Sequence, residues 1–88
     1  MAGMSATGFT PRLDKAIVRA RGIAADFGVV DDQGRPVVGT EHLVLAVLDD
    51  EYAVPTQALA DRYDVGALKA EILRLMRSPG YQGRIPPP

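Results

Sequence analysis

The only histidine of this 88-residue chain, His42, follows a carboxylate, Glu41, and precedes six apolar residues, 43–48. A histidine beside an acid raises the question of general acid–base catalysis. Adjacent residues on a helix point about 100° apart, so Glu41 is not placed to orient His42 as a triad acid orients its base. The only serines, Ser5 and Ser78, lie near the chain ends, and there is no cysteine nucleophile. We therefore expect no enzyme; a small hydrolase built on His42 is the disfavoured alternative to a structural histidine.

Metal and nucleotide chemistry lack their motifs in this sequence. One histidine and no cysteine leave only scattered carboxylates, without the ligand spacing of zinc or calcium sites. No stretch matches the G-x-x-x-x-G-K-[ST] phosphate loop, so we predict no metal and no cofactor. A binding function is still open. Helices beginning at Thr10 and Thr40 would offer free backbone N–H groups and a hydroxyl to an anion, although simple helix capping explains the same residues.

Composition places the chain among small globular proteins. It is 47% hydrophobic and 24% charged, with a formal charge of −1, so no excess of positive charge is available for nucleic-acid phosphates. The longest apolar run, 43–48, is far shorter than the roughly 20 residues that cross a bilayer. The N-terminus lacks the basic and apolar regions of a secretory signal. We predict a cytoplasmic protein that contacts neither nucleic acid nor membrane.

Four helices must position these residues. Thr10 followed by Pro11 is typical of an N-cap and first helical position, and Gly28 can end that helix. Apolar residues at spacings of three and four predict its buried face. They are Leu13, Ala16, Ile17, Ala20, Ile23, Ala24 and Phe27.

The second helix is predicted to start at Thr40 as N-cap, with Glu41 in its first turn, and to end at Asp49. Because residues 43–48 are apolar on every side, this helix should occupy the centre of the domain. The turn-rich segment before it, 31–36, favours a short hairpin-like loop in which residues 29–30 pair with residues 37–38.

Two further helices complete an all-α domain. Pro55 can start the third, and Asp64 can cap the fourth. The fourth helix should turn one apolar stripe inward and one charged face to solvent. The stripe is Leu68, Ile72, Leu75 and Met76, and the charged face is Lys69, Glu71, Arg74 and Arg77. We predict a flexible tail at 1–8, a folded domain at 9–78 and a flexible Gly/Pro-rich tail at 79–88.

The stretches F-T-P-R at 9–12 and V-G-T-E-H-L-V-L at 38–45 resemble the repeat of the Clp N-terminal domain family. This is the substrate-receiving module of the ClpA, ClpB and ClpC unfoldases, whose pattern reads F-T-x-R-A, a helix, then G-T-E-H-[LI]-L-L-G-L. The resemblance covers about residues 9–83 and is closest to the second repeat of the actinobacterial ClpC N-terminal domain. It implies a compact four-helix Clp-N repeat.

The chain departs from the family in having one repeat instead of two, and no ATPase. Two copies of this chain would restore the paired arrangement, so we expect a homodimer. The link between the first two helices is also longer here, over residues 29–39.

The resemblance also implies a ligand. The ClpC domain of Gram-positive bacteria binds phosphoarginine, a degradation mark on client proteins. Carried over residue by residue, the threonine of F-T-P becomes Thr10 and the glutamate of G-T-E-H becomes Glu41. Thr10 and the N–H groups of Arg12 and Leu13 would hold the phosphate, with the Arg12 guanidinium as an extra contact, and Glu41 would accept the guanidinium.

The function expected from the resemblance is a stand-alone binding module in Clp-dependent proteolysis, acting as adaptor, regulator or decoy without ATPase activity. Its partners would be a Clp ATPase or its client proteins. Cyclic-peptide antibiotics, which dock on the actinobacterial ClpC domain, are a second ligand class. The alternative is a structural or assembly partner of a Clp complex that has no ligand pocket.

Overall fold

The computed structural model describes residues 8–81, and within that range the chain forms four α-helices. These are α1 (Pro11–Asp26), α2 (Thr40–Leu48), α3 (Val54–Ala60) and α4 (Val65–Met76). The predicted all-α class is confirmed. Residues 1–7 of the predicted N-terminal tail (1–8) and residues 82–88 of the predicted C-terminal tail (79–88) lie outside the described residues.

Helix α1 begins and ends at the residues that its sequence predicts. Thr10 is the N-cap, and its Oγ1 accepts the N–H of Leu13 at 3.2 Å. At the other end Gly28 adopts a φ of 72°, and the N–H of Val29 bonds to the carbonyl of Ala24 at 2.9 Å. This is a Schellman stop, which needs a residue in the left-handed region and so favours glycine. Ala24 itself is fully buried.

The loop between α1 and α2 turns back on itself as a hairpin-like segment. The Asp31 carboxylate accepts the N–H groups of Gln33 and Arg35, both at 2.9 Å, which closes the turn. The single backbone bridge in this loop joins Val30 to Pro36. The predicted pairing is therefore shifted by one residue, and Pro36 has no N–H with which to extend it.

The start of α2 differs from the prediction. Thr40 is the first helical residue, and Gly39 is the N-cap. Glycine has no side chain that could cap the helix. The third helical residue, His42, satisfies the N-cap backbone instead, because its Nδ1 accepts the Gly39 N–H at 2.7 Å. The predicted capping role of Thr40 is wrong.

Helix α2 packs against all three of the other helices, as expected of the central element. Its buried residues are His42, Leu45, Ala46 and Leu48. Val44 nevertheless remains 45% exposed, because three short helices do not surround α2 on every side.

Helices α3 and α4 pack against α2 through both polar and apolar contacts. The buried Thr56 of α3 donates its hydroxyl to the carbonyl of Val47 at 2.7 Å. In α4, Asp64 caps the helix as predicted, and Met76 is only 2% exposed. Leu75, which we predicted to point inward, is 52% exposed. Neighbouring residues diverge by about 100°, so only one of Leu75 and Met76 can face α2.

Candidate functional site

At the start of α1, all but one of the groups assigned to phosphate have partners within the chain, the exception being the Arg12 N–H. The hydroxyl of Thr10 accepts the N–H of Leu13 and keeps its own O–H donor. The guanidinium of Arg12 pairs with the carboxylate of Asp50 just beyond the end of α2. These contacts make the start of α1 a capped and charge-paired helix end.

The structure separates this end of α1 from Glu41. Arg12 pairs with Asp50, and Arg19, about two turns further along α1, pairs with Asp49 at the same end of α2. The first half of α1 therefore lies against the end of α2, whereas Glu41 lies at the start of α2. At 1.5 Å per residue, Glu41 and Asp50 are roughly 13 Å apart along the helix. Within one chain, Thr10 and Glu41 do not meet.

A groove of about 680 Å³ lies between the first half of α1 and the end of α2, and we call it the charged groove. Its volume falls in the range of roughly 300–1,000 Å³ that is usual for small-ligand sites. Small side chains at its floor, Ala16 and Ala46, leave the space open. The groove is lined by Pro11, Arg12, Lys15, Ala16, Arg19, Ala46, Asp49 and Asp50.

The two carboxylates of the charged groove are held ionised by their neighbours. Hydrogen bonding from Arg12 lowers the pKa of Asp50. Burial works to raise the pKa of Asp49, but hydrogen bonds from Lys69 at 2.9 Å and Arg19 at 2.7 Å outweigh it, so that pKa is also lowered. Lys69, predicted to stay in solvent, is thereby half-buried against α2.

Lys15 differs from the other cations of the charged groove. It is exposed on α1 between Arg12 and Arg19, and it forms no ion pair among the described residues. The charged groove therefore has paired arginines on either side of one unpaired ammonium.

At the opposite end of α2, Glu41 belongs to a cluster with His42 and Tyr81, which we call the tyrosine cluster. The Tyr81 hydroxyl donates to the Glu41 carboxylate and lies 3.0 Å from Nε2 of His42. Since Nδ1 of His42 accepts the Gly39 N–H, the neutral ring carries its proton on Nε2 and donates it to the tyrosine oxygen. Glu41 itself is 3.9 Å from Nε2, beyond hydrogen-bonding distance, so Tyr81 bridges the two.

The environment of Glu41 favours its ionised form. Burial works to raise the pKa of Glu41, but the hydrogen bond from Tyr81 outweighs it and the pKa is lowered. Gly39 also matters here, because a Cβ at that position would come within 2.6 Å of Oε1 of Glu41. The carboxylate therefore folds back over the helix start into space that a glycine leaves free.

Beside the tyrosine cluster lies a second, smaller groove of about 310 Å³, which we call the apolar groove. Two of its apolar residues, Val44 and Leu75, are about half exposed. The groove is lined by Thr40, Glu41, Val44, Ile72, Leu75, Met76 and Tyr81. Glu41 thus lines a different groove from Arg12, while Thr10 and Leu13 line neither of the two.

Sequence reasoning did not identify Tyr81, Lys15, Arg19 or the Asp49–Asp50 pair as site residues. Tyr81 follows α4 in a Gly/Pro-rich segment, where no periodicity indicates a contact 40 residues away. For α1 a signal was present: Arg12, Lys15 and Arg19 recur at spacings of three and four, which places them on one face of the helix.

Comparisons with known protein families, with curated proteins and with solved structures found no match to this chain. Among residues 8–81, no three His, Cys, Asp or Glu side chains are grouped as metal ligands would be. Every helix in that range is too short or too polar to cross a membrane.

Proposed function

We propose that this chain is a Clp N-terminal-like binding module of Clp-dependent proteolysis, which recognises phosphoarginine-marked clients as adaptor, regulator or decoy. In this role it performs no catalysis of its own. The observation that carries the proposal is the charged groove beside F-T-P-R, because it is concave and presents cations at the start of α1. A rigid assembly partner without a ligand pocket would not need such a groove.

Phosphoarginine suits the start of α1 on chemical grounds. Its phosphoryl group can accept N–H groups of the forked Arg12 guanidinium that the pairing with Asp50 leaves available. Asp50 thus keeps the guanidinium in place while it contacts the ligand. Of the first-turn amides, the Leu13 N–H is held by Thr10, and the Arg12 N–H is the one best placed for a ligand oxygen.

The assignment of Glu41 to the ligand guanidinium requires a second copy of the chain. Because Glu41 and the start of α1 lie at opposite ends of α2, both can contact one ligand only if they come from different copies. We propose a homodimer that brings them together. The half-exposed Val44 and Leu75 beside the apolar groove provide the kind of apolar surface that such an interface buries.

Calorimetric titration with phosphoarginine, on wild type and on Glu41→Gln, tests the proposal. The glutamine oxygen can still accept the Tyr81 hydroxyl, so the variant removes the charge while keeping the tyrosine cluster. We expect binding by wild type and a loss of about tenfold in Glu41→Gln, as for a charge-assisted hydrogen bond. Light scattering at tens of micromolar should give the mass of a dimer.

Two results would contradict the proposal. If titration of wild type with millimolar phosphoarginine produces no heat, phosphoarginine is not the ligand. If light scattering gives the mass of a monomer, Glu41 does not contact the ligand. If a Clp ATPase co-purifies with the chain and the association survives substitution of both Thr10 and Glu41, the assembly role is favoured instead.

A further inference from the structure

We propose that Lys15 anchors a phosphoryl group in the charged groove, with Arg12 and Arg19 as its flanking ligands. This inference rests on the proposed function, which it extends by naming where the phosphoryl group of the ligand binds. Neither the motif residues nor the resemblance assigns Lys15 or Arg19 to a ligand.

Three cationic side chains share one face of α1 beside the charged groove. Arg12, Lys15 and Arg19 fall within an arc of about 60° on α1 and span about 10 Å along its axis. Their long side chains can converge on one small anion over the floor formed by Ala16 and Ala46. A phosphoryl group has three oxygens, so three donors from one helix face can each bind one.

The charges around the end of α2 favour the binding of an anion. Four cations surround the end of α2, namely Arg12, Lys15, Arg19 and Lys69, against the two carboxylates Asp49 and Asp50. Three of the four cations are paired, and Lys15 is the one without a carboxylate among the described residues. An anion entering the groove therefore meets a net positive charge centred on Lys15.

The arginines of the charged groove are held in position before an anion binds. Asp50 and Asp49 hold the guanidinium groups of Arg12 and Arg19 across the groove, the latter at 2.7 Å. An anion that binds there orders only the flexible Lys15 side chain. We assign Asp49 and Asp50 as positioning residues for the arginines.

The matched pair of variants is Lys15→Gln and Arg21→Gln. Arg21 lies on the same helix, is exposed, and points about 120° away from Lys15, so both variants lose one positive charge but only one changes the groove. Lys15 is exposed, and circular dichroism would verify that both variants keep the helical content of wild type.

The experiment is an NMR titration of the ¹⁵N-labelled chain with inorganic phosphate, with phosphoserine and with phosphoarginine. We expect shifts of the amides of residues 12–19 and 49–50 with all three probes. Lys15→Gln should lose about tenfold in affinity, the size of one hydrogen bond to a charged group, while Arg21→Gln changes affinity by less than about twofold. Raising the salt concentration should weaken binding to wild type.

The outcomes separate this inference from the proposed function. If phosphoarginine binds wild type but Lys15→Gln and Arg21→Gln behave alike, the Lys15 site is wrong and the proposed function survives. If phosphate and phosphoserine bind wild type more tightly than Lys15→Gln while phosphoarginine does not bind, the anion site is confirmed and phosphoarginine is not its ligand. Shifts confined to the start of α2, near Glu41, would overturn the inference.

Discussion

Replacement of His42 by leucine tests whether this buried histidine holds the start of α2 in place. The side chain is fully buried, accepts the Gly39 N–H at 2.7 Å and lies 3.0 Å from the Tyr81 hydroxyl. Leucine keeps a similar apolar volume and can form neither bond. The substitution therefore removes the polar contacts without opening a large cavity.

The expected loss follows from these two contacts. A part-buried N–H left without an acceptor costs about 1–3 kcal/mol, and the bond to Tyr81 contributes about 0.5–1.5 kcal/mol. Burying leucine in place of imidazole returns part of this loss, which leaves a net cost of about 2 kcal/mol. A domain of this length has a total stability of only about 4–13 kcal/mol. The melting temperature should fall by roughly 8–16 °C.

Thermal unfolding followed by circular dichroism measures this change. Val18→Ala on α1 is the control, because Val18 is 70% exposed, and it should shift the free energy of unfolding by less than about 0.5 kcal/mol. Tyr81→Phe should cost less in the His42→Leu background than in wild type, because the two residues share one network. Equal melting temperatures for His42→Leu and wild type would refute this account of the histidine.

Two further predictions concern stability. Met76→Ala, which truncates a side chain that is 2% exposed, should reduce the free energy of unfolding by about 2–5 kcal/mol in urea titrations, and a loss below 1 kcal/mol would show that α4 is loosely packed. Asp49→Asn should destabilise the domain at pH 7 by less than about 1 kcal/mol, since the ion pairs of Asp49 are partly exposed. The pKa of Asp49 is lowered in the folded state, so the unfolded chain binds more protons in acid, and the difference from wild type should shrink as the pH falls below about 4. A difference that grows in acid would contradict this assignment of charge.

Local signals in the sequence predicted most of the fold. Thr10 and Asp64 are short polar residues directly before apolar helical periodicity, and both cap the helices they precede. Gly28 ends α1 because the required left-handed backbone is a local property of the chain. The prediction that Thr40 caps α2 was wrong, because Gly39 is the N-cap and its N–H bonds to His42. This bond depends on the buried position of His42, which no local signal indicates. The prediction that Leu75 points inward was wrong because of tertiary packing: α2 offers α4 only a narrow contact surface.

The candidate site was less predictable than the helices. F-T-P-R and G-T-E-H each mark a helix start, and nothing local shows that the start of α1 packs against the end of α2, away from the start of α2. The same packing brings Asp49 and Asp50, which the sequence marks only as a helix exit, against the arginines of α1. Tyr81 reaches Glu41 across the fold, a contact that depends on the path of the chain after α4.

We propose above all that this chain binds phosphoarginine on a client protein. The most direct test of this proposal compares the affinity of the wild-type chain for one peptide carrying phosphoarginine and for the same peptide carrying arginine. We expect the phosphorylated peptide to bind at least about tenfold more tightly, because only this peptide carries the anion that we propose to bind in the charged groove. Equal affinities for the two peptides, or no binding of either at millimolar concentration, would contradict this proposal.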